Sequence, residues 1–242
     1  MSSATLQGVT KQSIQEAIVK RGQVSLVARL WIPSGQPPFP CVIFVHGLGS
    51  SKESPRNVVI AQRLVETGIA ALLFDLSGHG ESSLDTRDGE MGYMEDLATM
   101  LAWASEQAQI DGNRLCIAGS SLGGVVALHA TIRNIVAPTT MVLRAPPVEL
   151  DDFARLSVPT LVLVGSRDPL LVRLRGVGSA TRAVNLRVVE GASHLFEEPG
   201  RLEVAANETV GWFKTHLAAT EEAAYSRGNA GEARPRGGGR PR

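Results

Sequence analysis

At 242 residues the chain is long enough for one α/β domain around a single sizeable core. Hydrophobic residues make up 43% and charged residues 20%, an ordinary soluble balance, and the longest apolar stretch, residues 69–74, is far too short to span a bilayer. Lys+Arg and Asp+Glu stand at 24 each, so no global field draws the protein to nucleic acid, to a membrane surface or to a polyanion.

Taken in chain order, residues 1–8 are polar and lack the cationic-then-apolar order of a secretory signal. A cytoplasmic location is expected, with residues 1–13 lying outside the folded domain. Residues 14–20 and 24–32 are rich in β-formers, the second alternating partly between apolar and polar as a strand with one wet face does. Arg21-Gly22 marks a turn between them, which predicts an antiparallel edge hairpin.

From there the pattern changes. Residues 41–45, 70–74, 115–118, 141–143, 161–164 and 186–189 are short, nearly continuous apolar runs, suited to strands buried on both faces of a parallel sheet. Helical patterns fall between them at 58–66, 93–108, 122–133 and 202–217. This alternation predicts a three-layer α/β domain over residues 14–217. Cys41 and Cys116 each lie inside an apolar run and read as buried free thiols, with no disulfide framework and no metal-ligand spacing nearby. Residues 218–242 end in a Gly/Arg/Pro-rich stretch that buries too little to offset its conformational entropy. A disordered tail is expected there. From residue 221 on it holds five arginines against three glutamates, which leaves RNA attachment as a minor alternative to a solvated tail.

The strongest chemical signal is Gly119-Ser120-Ser121-Leu122-Gly123, placed directly after an apolar strand and before a helix pattern. Gly-x-Ser-x-Gly in that setting is a nucleophile elbow, whose sharp turn exposes the central hydroxyl at a helix N-terminus. Ser121 is the expected nucleophile. Ser120 lacks small residues on both sides at the required spacing. A serine needs a base, and the base needs an orienting group. Downstream, Gly165-Ser166-Arg167-Asp168 follows one strand run and Gly191-Ala192-Ser193-His194 follows another, so Asp168 and His194 are the expected acid and base. Asp151 and Asp152 follow no comparable strand, and His216 sits inside the last helix pattern. The Leu122 N–H and the Leu48 N–H, the latter in the loop His46-Gly47-Leu48-Gly49, are the expected oxyanion donors, and His46 reads as a loop residue that bonds locally. Arg144, at the end of a strand run, is assigned a structural salt bridge, with binding of an anionic substrate group as the alternative.

At these residues the sequence resembles the α/β-hydrolase superfamily. His46-Gly47 is similar to its oxyanion loop, Asp75-Leu76-Ser77-Gly78-His79-Gly80-Glu81-Ser82 to its turn after the fourth strand, and the three loops above to its elbow, acid and histidine loops. The resemblance implies an eight-stranded, mostly parallel sheet with antiparallel first strands. The tract 194–200 is similar to dienelactone-hydrolase-like proteins, although those closest to dienelactone hydrolase use cysteine where this chain has Ser121. Only residues 146–159 separate the sixth strand run from the acid strand, so a minimal lid or none is expected. The expected function is hydrolysis of a carboxylic ester or thioester of a small acyl substrate, without metal or organic cofactor. Aminopeptidase-like activity, acyl transfer and a non-catalytic scaffold are the alternatives. Acyl group, leaving group and oligomeric state are left open.

Overall fold

The computed structural model describes residues 11–84, 89–177 and 181–230. The hairpin forms where expected, β1 over Ser13–Arg21 pairing antiparallel with β2 over Val24–Ile32. The buried strands follow as β3 Phe39–Val45, β4 Ala70–Phe74, β5 Ile110–Ser120, β6 Met141–Arg144, β7 Thr160–Gly165 and β8 Val184–Val189. The helices are α1 Pro55–Glu66, α2 Glu90–Ser105, α3 Leu122–Ile132, α4 Leu150–Phe153, α5 Leu171–Leu174 and α6 Arg201–Ala230.

All eight strands join one sheet in the order β1-β2-β4-β3-β5-β6-β7-β8. The first two strands run antiparallel to their neighbours, and β3 through β8 are parallel. The continuous apolar runs are explained by burial on both faces. Within β6, Met141 and Leu143 enter the core beneath α2 and α3, while Val142 enters the opposite core with Ile60 and Leu64 of α1 and Phe213 of α6. This is the three-layer α/β-hydrolase fold. Cys41 and Cys116 are buried free thiols, and burial pushes both up, Cys116 to about 12.

Between β6 and β7 the only helix is the four-residue α4, so the lid is as small as expected. The last helix departs from the boundary read at Leu217. Leu217 is buried in the core, and the helical backbone continues past it to Ala230. The residues just beyond Leu217, Ala-Ala-Thr-Glu-Glu-Ala-Ala, are mostly strong helix formers, which favours continuation of the helical backbone. Residues 231–242 of the expected tail, and 1–10 of the N-terminal segment, lie outside the described residues. Among the described residues no helix is long and apolar enough to cross a membrane.

Candidate active site

Parallel strands deliver their following loops to one sheet edge, and Ser121, Asp168 and His194 all follow strand ends there, after β5, β7 and β8. Ser121 has φ 50° and ψ −117°, in the left-handed region that side chains avoid, at a cost of about 1–3 kcal/mol. The surrounding structure holds it there: its N–H donates to the Arg144 carbonyl at 2.8 Å, and its own carbonyl accepts from Gly124 N–H at 2.8 Å. The turn is tight enough that a Cβ on Gly119 or Gly123 would collide with backbone, of Gly123 and of Val45 respectively. The elbow therefore needs small residues at both positions.

His194 Nε2 lies 3.2 Å from Ser121 Oγ, and its Nδ1 lies 2.8 Å from Asp168 Oδ2. An ionised carboxylate only accepts, so the Nδ1 proton points to Asp168 and the Nε2 lone pair is left for the serine hydroxyl. The Asp168 side chain is 1% exposed and that of His194 36%, so the carboxylate is enclosed while the imidazole faces the opening. The Leu170 N–H donates to Asp168 Oδ1 at 2.9 Å. The two loops are stitched together, Arg167 N–H donating to the Ala192 carbonyl at 2.9 Å. A Cβ on Gly165 would strike that carbonyl, so glycine is what permits the close approach.

The structure thus brings the three expected residues into one chain of contacts and leaves their rivals outside it. His216 accepts its helix's own geometry, stacking on Trp212 with ring centroids 3.9 Å apart. Asp152 caps α4, accepting from the Glu149 N–H at 3.0 Å. His194 pairs with Ser121, not Ser120.

Leu48 sits in a turn closed by Ser50 N–H donating to the Gly47 carbonyl at 3.2 Å, with Gly49 at φ +67°. A positive φ at the third position is the demand of a type II turn, and such a turn leaves the second residue's N–H, that of Leu48, out of its hydrogen bond. Leu122 begins α3, where first-turn N–H groups have no partner within the helix. A Cβ on Gly47 would lie 3.4 Å from Ser121 Cβ, so this turn stands beside Ser121. His46 is a loop brace, as expected: Nε2 accepts from the Leu76 N–H at 3.0 Å, so Nδ1 carries the proton it shares with the Gly47 carbonyl at 2.8 Å. Burial depresses its pKa, in keeping with a neutral ring.

Arg144 differs from its assignment. It is 3% exposed, and among the described residues its side chain has no carboxylate partner; it donates to the side-chain oxygen of Asn57. No salt bridge forms because the facing element is the first turn of α1, which carries no acidic residue. Asn57, Arg56 and Ser54 of that turn line a cavity of about 180 Å³ with Ser121, His194 and Leu48. None of the three carries a motif. Glu198 was also missed: its carboxylate accepts from the Ser193 N–H at 2.9 Å, a bond that pulls its pKa down and braces the loop bearing His194.

A family model described as serine aminopeptidase, S33 matches residues 36–154. A putative phosphoribosyl transferase from Mycobacterium tuberculosis is 34% identical over 211 residues, 84% of this chain and 46% of that protein. A putative protein-lysine deacylase, ABHD14B, from Rattus norvegicus is 28% identical over 158 residues, 62% of this chain and 72% of that protein. Among solved structures, a dienelactone hydrolase from Anabaena variabilis superimposes with a TM-score of 0.75 at 27% identity, covering 85% of this chain and 99% of that one. The chain spans about half the length of the mycobacterial relative. With its fold, its loop architecture and these likenesses together, the chain belongs to the α/β-hydrolase superfamily.

Proposed function

We propose that the protein is a serine hydrolase that cleaves a carboxylic ester or thioester of a small acyl substrate. The observation that carries this reading is the unbroken contact chain from Ser121 Oγ through His194 to Asp168, at 3.2 and 2.8 Å. Ser121 Oγ attacks the acyl carbonyl while His194 Nε2 takes its proton, and Asp168 holds the ring in the tautomer this requires. The carbonyl oxygen, now negative, is met by the N–H groups of Leu48 and Leu122. Collapse expels the alcohol or thiol, which takes the proton from His194 and leaves an acyl-serine. Water then repeats the sequence, freeing the acid and restoring the serine. No metal or organic cofactor enters this cycle, and a soluble small-molecule substrate without nucleic-acid or membrane partner fits it.

Labelling with a fluorophosphonate followed by peptide mapping tests the reading directly. Modification at Ser121, together with p-nitrophenyl ester hydrolysis that Ser121→Ala abolishes, is the expected result. Unlabelled protein with no esterase activity would reject the proposal in favour of a non-catalytic scaffold. The family model's description favours one second reading, hydrolysis of an amide. Aminoacyl p-nitroanilides cleaved faster than matched esters would select it.

A further inference from the structure

This inference rests on Ser121 being the nucleophile and concerns what lies beside it. We propose that the cavity between Ser121 and the start of α1 is a subsite for a carboxylate carried by the substrate, received by Asn57 Nδ2 and Arg56 in front of the buried charge of Arg144.

Arg144 ends β6 in register with Ser120, itself a wall of the cavity. A guanidinium out of water normally requires an anion, because desolvation costs several kcal/mol per ion. Here burial lowers its pKa only to about 10, which leaves it a cation at neutral pH, and among the described residues no carboxylate lies within ion-pair distance. A positive charge has been placed next to the nucleophile and left without its counterpart.

Asn57 turns that charge toward the cavity. Arginine has donors only, so the Asn57 oxygen must face Arg144 and its amide nitrogen must face away. Asn57 is 2% exposed, lines the cavity, and among the described residues its Nδ2 has no hydrogen-bond partner. The Nδ2 hydrogens therefore open onto the cavity, where a ligand acceptor can take them in place of water. The setting favours an anion over a neutral carbonyl. The first turn of α1 has no acidic residue and no side-chain cap, so its positive end is bare. Arg56, in the same turn, also lines the cavity; its partner Glu197 at 3.1 Å has a side chain 63% exposed, a surface pair of small worth. The cavity's volume of about 180 Å³ suits a short chain of succinyl size.

The test compares mono-4-nitrophenyl succinate with 4-nitrophenyl butyrate, matched in length and differing in the carboxylate. The wild type should prefer the succinate by about ten- to hundredfold in kcat/KM, chiefly through KM. Asn57→Asp supplies Arg144 with a counter-ion, so it should fold with a raised melting temperature and yet favour the butyrate. A purely structural Asn57–Arg144 contact predicts no such reversal. A wild type indifferent to the carboxylate, or an Asn57→Asp enzyme that still prefers succinate, overturns the subsite. Calorimetric titration of Ser121→Ala with monomethyl succinate and with methyl butyrate separates this failure from that of the hydrolase reading. Tighter binding of the succinate, lost when Asn57→Asp is added, upholds the subsite even if no ester is turned over. Equal or absent binding of both removes the subsite and leaves the hydrolase reading untouched.

Discussion

Asp75 and Asp168 are both buried and both stand just past strand ends at the same edge of one sheet, after β4 and after β7. Asp75 is saturated. Its carboxylate accepts from the Lys52 N–H at 2.6 Å, the Lys52 ammonium at 2.9 Å and the Glu81 N–H at 2.9 Å. Lys52 also reaches the Glu81 carboxylate, and these bonds outweigh the burial that alone would lower its pKa, which is instead raised. Every partner of Asp75 is fixed, and together they tie the loop after β3 to the turn after β4. Asp168 accepts one backbone N–H and gives its other oxygen to the ring of His194, whose far nitrogen faces a hydroxyl and the opening. A buried carboxylate surrounded by immobile donors braces a fold. One whose partner has a free face toward a cavity is placed to assist proton movement.

This contrast assigns rate to one cluster and stability to the other, and substitutions can break it. The largest effect is expected of Ser121→Ala. It should lower kcat on a p-nitrophenyl ester by about 10⁴- to 10⁶-fold, with a melting temperature close to wild type, since alanine meets the same φ of 50°. Asp168→Asn keeps an acceptor for the Leu170 N–H but removes the carboxylate that sets the ring's tautomer; kcat should fall by about 10⁴-fold. For Asp75→Asn the order inverts. It leaves the Lys52 ammonium, whose side chain is 2% exposed, with the solvent-facing Glu81 and the more distant Glu53 at 3.9 Å, and urea unfolding should show a loss of about 3–5 kcal/mol. Turnover per folded molecule, counted by active-site titration, should stay within a few-fold. Asp75→Asn that costs rate at full stability, or Asp168→Asn that costs stability at full rate, would erase the distinction.

The positions of Ser121, Asp168 and His194 were legible because each follows directly on an apolar run whose strand character could be read locally. Ser121, Asp168 and His194 needed only the rule that parallel strands send their following loops to one edge. The hairpin and the size of the lid were legible for the same reason, being set by turn residues and spacing. What escaped depends on contacts between distant stretches. Asn57 meets Arg144 across 87 positions, and nothing near Asn57 distinguishes it from any polar residue early in a helix. The salt bridge assigned to Arg144 failed because a local pattern shows that a cation lies at a strand's end but not which side chain is packed opposite. Glu198 braces the histidine loop through a bond to a main-chain N–H, a role that any acceptor within reach could fill and that leaves no motif. The end of the last helix was misplaced for the opposite reason. Composition pointed to a tail, whereas the intrinsic helix preference of its first residues carries the backbone to Ala230.

The smallest expected effect concerns His46, which belongs to both regions: its Nε2 receives the Leu76 N–H from the turn that Asp75 braces, and its Nδ1–H donates to Gly47 in the turn that carries Leu48. Burial holds its pKa below the usual value, and the His79 ring, 5.1 Å away, pushes in the same direction, against the opposing pull of the Gly47 carbonyl and Asp75. The folded protein therefore keeps His46 neutral at pH values where the unfolded chain already binds a proton. Above about pH 6.5 neither state is protonated and His46 adds no pH dependence. As pH falls below that value the unfolded state gains the proton first, and folding loses up to about 1.4 kcal/mol per pH unit until the folded pKa is reached. His46→Gln keeps an acceptor for the Leu76 N–H but cannot titrate. Its stability should lie below the wild type's near pH 7.5, and the gap should narrow as urea unfolding is repeated down to pH 5. A gap that stays constant would mean that the ring does not titrate differently in the two states, and that the link between the turn after β4 and the loop bearing Leu48 carries no pH sensitivity through His46.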